Sequence, residues 1–173
     1  MFLLVFLDES GFSLALSLLY GWGRKGEPLI EAVPARRGKN LSVLGAFDSE
    51  GMVATTSKLG AMTRADFEQF LRVDLLPRLL PGSVLVLDNA SIHKGGQIES
   101  LVSKAGCRVL YLPPYSPDLN PIELAWVFVK RLVRKCGPRE DAGRQQAVAA
   151  ALAALPESLA PACFRHCQYL QLN

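Results

Sequence analysis

The chain has 173 residues, of which 50% are hydrophobic and 20% are charged, and its formal net charge is +3. A chain of this length suits a single domain spanning residues 1–173, which would bury roughly 70% of its unfolded surface, and the composition excludes a disordered protein. The pI near 8.7 is compatible with a nucleic-acid partner but is too weakly basic to indicate one unaided.

Targeting and redox signals are weak in this sequence. The apolar run that ends at Leu7 has no basic region before it and is followed by two acids, so it is not a signal peptide. No stretch approaches the ~18 apolar residues of a membrane helix. The cysteines form no CxxC pair, and Cys163, His166 and Cys167 alone make a poor zinc site. We therefore expect a soluble cytoplasmic protein with reduced thiols and no membrane partner.

The first third of the chain is predicted to form strands. Apolar and β-branched runs separated by turn residues predict strands at residues 2–8, 12–20, 29–33, 41–47 and from 52 to about 56. Glu9, Ser10 and Gly11 are predicted to form a turn after the first strand, because acids, serine and glycine favour turns.

The rest of the chain alternates between helices and strands. Thr63 and Asp66 predict a capping box that opens a helix with apolar residues at helical spacing. Further helices are predicted at residues 96–105, from Asn120 onwards, at 144–154 and at 157–168, and strands at 84–88 and 107–112. This order predicts a mixed α/β layer structure.

Three acids occupy sequence positions that favour a functional site over a place in the hydrophobic core. Asp8 and Asp88 each follow an apolar run, and the edge formed by the carboxyl ends of such strands is where ligands bind in open sheets. Glu123 opens a helix after an eleven-residue loop, 112–122, that contains four prolines. Taken singly, each aspartate could begin a turn and Glu123 could cap its helix. Taken together, they predict a site.

An all-carboxylate site favours magnesium or manganese, and a pair of such ions is a known solution for phosphoryl transfer. Other chemistries lack their signatures: the sequence has no GxSxG elbow, no GxxxxGK[ST] loop, no GxGxxG fingerprint and no HExxH pair. A polyanionic substrate would also explain two basic clusters, although either cluster alone could be a solvated face.

Three blocks carrying these acids resemble a known family. They are Phe6-Leu7-Asp8-Glu9-Ser10, residues 87–93 around Asp88-Asn89, and the segment Ser116-Pro117-Asp118-Leu119-Asn120-Pro121-Ile122-Glu123. The sequence resembles DDE transposases of the Tc/mariner-like superfamily, in the bacterial insertion-sequence branch. Thirty-four residues separate Asp88 from Glu123, as in the glutamate-bearing members of that superfamily.

The resemblance implies a ribonuclease H-like α/β fold, with a five-stranded mixed sheet, its first three strands antiparallel, and helices on both faces. It implies that Asp8, Asp88 and Glu123 are catalytic and bind two Mg²⁺ ions, for which Mn²⁺ can substitute. The expected reaction is cleavage of double-stranded DNA at transposon ends, followed by transfer of the freed 3′-hydroxyl to target DNA. Full-length relatives carry helix-turn-helix domains ahead of the first catalytic strand, and the expectation is that this region is absent here.

Further residues and partners complete the expectations. Asn89, His93 and Asp118 are candidates to support the acids or to contact DNA, with turn formation as the alternative for Asn89 and Asp118. The residues expected to contact DNA phosphates are Arg36, Arg37, Lys39, Lys130, Arg131 and Arg134. A homodimer in a synaptic complex, a separate end-binding subunit or domain, and a place on the bacterial nucleoid are also expected. The alternatives are a related nuclease without strand transfer and a catalytically silent DNA-binding remnant.

Overall fold

A mixed five-stranded sheet organises the computed structural model, which describes residues 3–17, 20–28, 30, 38–95 and 97–170. The strands are β1 (Leu4–Phe12), β2 (Leu41–Phe47), β3 (Met52–Leu59), β4 (Val84–Leu87) and β5 (Arg108–Tyr111). Their order across the sheet is β3-β2-β1-β4-β5. The first three strands are antiparallel neighbours, and β4 and β5 run parallel to β1. The predicted sheet is therefore confirmed.

Helices cover both faces of this sheet, as predicted. They are α1 (Arg64–Gln69), α2 (Ile98–Lys104), α3 (Pro121–Cys136), α4 (Asp141–Ala153) and α5 (Leu159–His166). A π-helical segment and a short 3₁₀ turn continue α1 as far as Arg78. One core lies between the sheet and α3, α4 and α5, and a second lies under α1 and α2. Among the helices of the described ranges, none is long and apolar enough to cross a membrane.

Alternation along β1 explains why the sheet has two cores. Phe6 and Phe12 belong to the core beneath α3, whereas Val5 and Leu7 belong to the core beneath α1. A strand that is buried on both faces reads as a continuous apolar run, because neither side chain set meets water. The same alternation places Asp8 on the α3 side and the next residue, Glu9, on the opposite side.

Two predictions near the N-terminus are wrong. The turn expected at residues 9–11 is strand, because β1 stays paired with β2 until Phe12 lies opposite Leu41. Pairing with a neighbouring strand outweighs local turn composition, which is a weak preference. The strand expected at 12–20 ends at Phe12, and the described residues 13–17 and 20 are not strand. Of the strand expected at 29–33, residues 29 and 31–33 lie outside the described residues.

The remaining elements agree with prediction to within a few residues. β3 runs three residues beyond Thr56, and α4 begins at Asp141, three residues before the expected start. Such differences at element ends are ordinary, because the terminal turns of helices and strands are held by few hydrogen bonds.

Candidate active site

The three predicted acids border one cleft, which has a volume of about 420 Å³. It is lined by Asp8 of β1, residues 88–90 after β4, residues 112–117 of the proline-rich loop, Asn120, and Glu123 of α3. Asp8 and Asp88 come from neighbouring parallel strands, in which Phe6 lies opposite Val86 two residues earlier. The fold thus brings together side chains that are far apart in sequence.

Asp8 lies inside a strand, not at its end as predicted. It is paired with Gly45 of β2, and the residue is only 9% exposed. The indole Nε1 of Trp126 in α3 donates a hydrogen bond to Oδ2 of Asp8 at 3.1 Å. Asp8 enters the cleft because β4 ends at Leu87 while β1 continues alongside it.

Gly45 gives Trp126 the space to reach Asp8. A Cβ atom at residue 45 would lie 2.8 Å from two atoms of the Trp126 ring, closer than side chains can pack. Trp126 belongs to the buried face of α3 and was not among the predicted site residues. A glycine inside a strand was the available signal, because such a glycine often marks a close approach by another group.

Burial and like charge both act on Asp8. Desolvation, followed by the charge of Glu123, raises the pKa of Asp8 to about 7, and Asp88 contributes in the same direction. In the part of the chain that the structure describes, no three His, Cys, Asp or Glu side chains are grouped closely enough to hold a metal ion. The acids share the cleft without converging, and their oxygen donors are of the type that hard divalent cations prefer.

Asp88 is held by two donors on one oxygen. Its Oδ1 atom accepts a hydrogen bond from the backbone N–H of Ala90 at 2.9 Å and lies 2.5 Å from Nδ1 of His93. The hydrogen bond from His93 is the main reason that the pKa of Asp88 is lowered, although burial opposes it. Asp88 is therefore the ionised aspartate of the pair, and Asp8 is the one that burial keeps protonated up to about neutral pH.

His93 is buried, with 1% of its surface exposed, so it has no free surface for a DNA phosphate. Its other nitrogen, Nε2, lies 3.2 Å from Oε1 of Glu9. Burial alone would lower the pKa of His93, but the hydrogen bonds to Asp88 and Glu9 raise it to about 9. Of the two predicted roles, the structure supports the one in which His93 contacts a cleft acid. Glu9 was not among the predicted site residues. Strand alternation was the available signal, because it places Glu9 on the opposite face of β1 from Asp8.

Hydrogen bonds tie the proline-rich loop to Asn89 after β4 and to Tyr169, which follows α5. Asn89 donates through Nδ2 to the backbone carbonyl of Leu112 at 2.5 Å, and the Tyr169 hydroxyl donates to the carbonyl of Leu119 at 2.9 Å. Tyr115 at the loop tip is fully exposed and has a left-handed backbone, with φ of 56°. Asn89 therefore fastens the wall of the cleft. Asp118 is exposed and is not among the residues that line the cleft.

Glu123 does not serve its own helix as a cap. It is the third residue of α3, where a capping acid would bond back to the backbone of the N-cap residue, Asn120. Neither side chain makes that reciprocal pair of bonds, and the buried Oδ1 atom of Asn120 has no hydrogen-bond partner. The exposed Glu123 carboxylate borders the cleft instead.

The predicted DNA-contacting residues differ in their exposure to solvent. Arg36 and Arg37 lie outside the described residues, and Lys39 is exposed. On α3, Arg131 is exposed, while Lys130 is partly buried with its ammonium group 6.0 Å from the ring centre of Phe12. Arg134 is partly buried one turn further along the same helix. The helix that carries Glu123 thus also carries these three candidates and a fourth cation, Lys135.

Comparison with known proteins gives the family. The model of the DDE superfamily endonuclease family matches residues 3–143, which is most of the chain. The chain is 30% identical over 140 residues to the Tcb2 transposase of Caenorhabditis briggsae and 29% identical over 136 residues to the Tc3 transposase of Caenorhabditis elegans. These matches cover 75% of this chain in both cases, and 51% and 41% of the two relatives. The chain thus spans about half the length, or less, of these curated relatives.

Solved structures show the same fold. The Mos1 transposase paired-end complex with the left transposon end superposes with a TM-score of 0.79 at 19% identity, over 96% of this chain and 52% of that one. The catalytic domain of Mos1 mariner transposase gives a TM-score of 0.67 at 16% identity, over 96% of this chain and 77% of that one. Other Mos1 structures are a strand transfer complex and paired-end complexes with Mn and with Mg. The chain therefore belongs to the DDE superfamily endonuclease family, as predicted, and its assignment to the bacterial branch stays a prediction.

Proposed function

We propose that this endonuclease-family chain cleaves DNA at transposon ends and transfers the freed 3′-hydroxyl to target DNA. The observation that carries the proposal is the shared cleft, to which three separate elements contribute Asp8, Asp88 and Glu123. The charge of Glu123 acts on the buried carboxyl of Asp8, so the acids are electrostatically coupled. Such coupling is unfavourable without a counter-charge, which supports a role in binding cations.

The three carboxylates would together hold two Mg²⁺ ions, or Mn²⁺ as a substitute. Carboxylate oxygens suit both ions. When bound, such a pair activates the attacking oxygen and stabilises the leaving oxygen of a phosphodiester. The Mos1 complexes with Mg and Mn, which share this fold, support this choice of ions.

The protein side of the mechanism is orientation. Trp126 fixes one oxygen of Asp8, and His93 with the Ala90 amide fixes one oxygen of Asp88. The remaining acid, Glu123, is exposed and is free of a capping bond, so a change of rotamer can bring it towards the aspartates. Two held acids and one free acid form a site that can close around a cation and its substrate.

Double-stranded DNA would lie along α3 beside this cleft. Lys39, Lys130, Arg131 and Arg134 would contact its phosphates, and Arg36 and Arg37 remain candidates for the same role. We also propose that two copies act in a synaptic complex on the nucleoid, with end recognition by a separate subunit or domain.

The test is a combined cleavage and joining assay. The purified chain is incubated with a duplex that carries the ends of the encoding element, with a plasmid target, and with Mg²⁺, Mn²⁺ or EDTA. We expect cleaved ends and joined product with either metal and neither product with EDTA. Asp8→Asn, Asp88→Asn and Glu123→Gln should each reduce both products to background, whereas Glu157→Gln, which removes an exposed charge from a residue that does not line the cleft, should not.

Each other outcome replaces the proposal with a named alternative. Cleavage without joining, even when a free 3′-hydroxyl end is supplied, would indicate a hydrolytic nuclease of the same fold. Salt-sensitive DNA binding without either reaction would indicate a silent DNA-binding remnant. Near-normal cleavage by one acid variant would remove that residue from the site.

A further inference from the structure

A chain of hydrogen bonds leads from the cleft through the sheet edge to an acid on the other side. Oδ1 of Asp88 lies 2.5 Å from Nδ1 of His93, and Nε2 of the same ring lies 3.2 Å from Oε1 of Glu9. Asp88 borders the cleft, whereas Glu9 is not among the residues that line it. Glu9 also faces away from its neighbour Asp8, because side chains alternate along β1.

The imidazole between these two acids is fixed on every side. The ring of Phe67 packs against it with 4.6 Å between ring centres. The Tyr111 hydroxyl donates to the backbone carbonyl of His93 at 2.9 Å, and Nη2 of Arg64 donates to the carbonyl of Ser91 at 2.9 Å. The backbone turn and the ring plane are thus both held, so the direction of the Nδ1–H bond is set by the fold.

These contacts give the two carboxylate oxygens of Asp88 different environments. Oδ1 is occupied by the His93 ring and by the Ala90 amide. Among the described residues, Oδ2 has no such hydrogen bond and is the oxygen left for a cation. Carboxylates that bind metals are commonly oriented in this way by hydrogen bonds to groups that do not touch the metal.

We propose that Glu9 and His93 are positioning residues, which hold Asp88 so that its Oδ2 atom is presented to a divalent cation in the cleft. Glu9 orients the His93 ring, and the ring orients the carboxylate. This inference rests on the proposed function, because it requires that Asp88 binds a metal ion. A simple structural ion pair would stabilise the fold but would have no effect on the cation affinity of the folded protein.

Two substitutions of His93 separate its two hydrogen bonds. The amide of asparagine lies near the position of Nδ1 and can still donate to Asp88, whereas the amide of glutamine lies near Nε2 and reaches towards Glu9. The readout is Mn²⁺ affinity of the full chain without DNA, from calorimetric titration or from the electron paramagnetic resonance signal of free Mn²⁺. We expect His93→Gln to weaken binding by about 10- to 100-fold, and His93→Asn to weaken it by about threefold or less.

Glu9 provides a second test at a position that is easier to substitute, because its side chain is 27% exposed. Glu9→Ala leaves the ring without its outer acceptor and should weaken Mn²⁺ binding by several-fold, on the order of 10-fold or less. Glu9→Gln keeps an acceptor oxygen and should restore most of that loss. Glu157→Gln is the matched control for the removal of one charge, and its affinity should equal that of the wild type.

The outcomes separate this inference from the proposed function. Equal weakening by His93→Gln and His93→Asn, or wild-type affinity for every folded variant, would overturn the positioning role while leaving the metal site intact. A wild-type chain that binds no Mn²⁺ at millimolar concentration would instead overturn the proposed function, and the inference with it. A thermal melt of each variant confirms that the protein compared is folded; a His93 variant that does not fold leaves the decision to the Glu9 pair.

Discussion

Two helices of this protein begin with the same sequence pattern and use it differently. At α1, Thr63 precedes the helix and Asp66 is its third residue; at α3, Asn120 and Glu123 occupy the same two positions. The first pair forms the reciprocal hydrogen bonds of a capping box. The second pair forms neither bond, and its acid borders the cleft.

The difference shows how the same local chemistry is divided between stability and function. At α1 the acid accepts a hydrogen bond from the backbone N–H of Thr63, and the Thr63 hydroxyl accepts one from the backbone N–H of Asp66, so two donors of the helix start are satisfied by side chains. At α3 the corresponding amides of Asn120 and Glu123 donate to the backbone carbonyls of Pro117 and Asn120, and the buried Oδ1 atom of Asn120 lacks a partner. A helix start whose amides donate to backbone carbonyls leaves its carboxylate available to a ligand.

The largest expected effect is that substitutions of Glu123 and Asp66 have opposite consequences for activity and stability. Glu123→Gln should reduce Mg²⁺-dependent DNA cleavage to background and leave the melting temperature nearly unchanged, because no capping bond is lost. Asp66→Asn should do the opposite, lowering stability while cleavage persists. Cleavage assays and thermal melts of both variants provide the comparison. A large loss of stability in Glu123→Gln would show that this acid caps its helix in solution.

A second prediction concerns the charge that Glu123 places on the cleft. The pKa of Asp8 is about 7, against an ordinary value of 3.8. Between these values the folded chain holds a proton that the unfolded chain has released. The contribution of Asp8 to stability is therefore present below about pH 4 and is lost as the pH rises through about 7.

Three measurements examine this prediction. Urea unfolding of the metal-free protein from pH 4 to 8 should show that the contribution of Asp8 to the free energy of unfolding falls as the pH rises. Asp8→Asn should remove this contribution. Glu123→Gln should lower the pKa of Asp8, because one of the charges that raise this pKa is gone. Carbon NMR of the Asp8 carboxyl group measures the change. An unchanged pKa would mean that Glu123 lies too far from Asp8 to share a site. Added Mg²⁺ should favour the ionised form and so stabilise the protein most at the upper end of the range.

What the sequence predicted well was local or carried by long motifs. The capping box at Thr63 depends on residues three apart, and the block ending at Glu123 indicated the family. The five-stranded mixed sheet with three antiparallel strands followed from the same resemblance, because strand pairing across such distances leaves little trace in a single sequence.

What the sequence predicted poorly depends on partners far along the chain. Asp8 and the residues after it have turn composition, yet β2 holds them in a strand. The contact of Trp126 with Asp8 spans 118 positions, and that of His93 with Glu9 spans 84. No local preference encodes either contact, although the glycine at residue 45 and strand alternation at Glu9 were usable signals.

The third prediction compares the two N-cap residues directly. Thr63→Ala should cost about 1 kcal/mol of unfolding free energy, because it removes the cap bond to the Asp66 amide. Asn120→Ala should cost clearly less, since its side chain makes no cap bond and its buried oxygen is unsatisfied. Urea denaturation of both variants measures the difference. A larger loss at Asn120 would place an unseen cap at α3 and remove the contrast between the helices.

The smallest expected effect lies in the ion pair that supports the α1 cap. Lys58 of β3 donates to Oδ2 of Asp66 at 2.7 Å, and this bond, with those from Thr63, lowers the pKa of Asp66 to about 2. The stabilisation is therefore present above about pH 4 and is lost as the pH falls through about 2. Because the pair is partly exposed, Lys58→Gln should cost about 0–1 kcal/mol at low salt and less at 1 M salt. The Thr63 bonds are short-ranged, so the cost of Thr63→Ala should change little with salt. Equal salt sensitivity of the two variants would mean that the capping box depends on Lys58. The ion pair from β3 would then stabilise α1 more than the capping hydrogen bonds do.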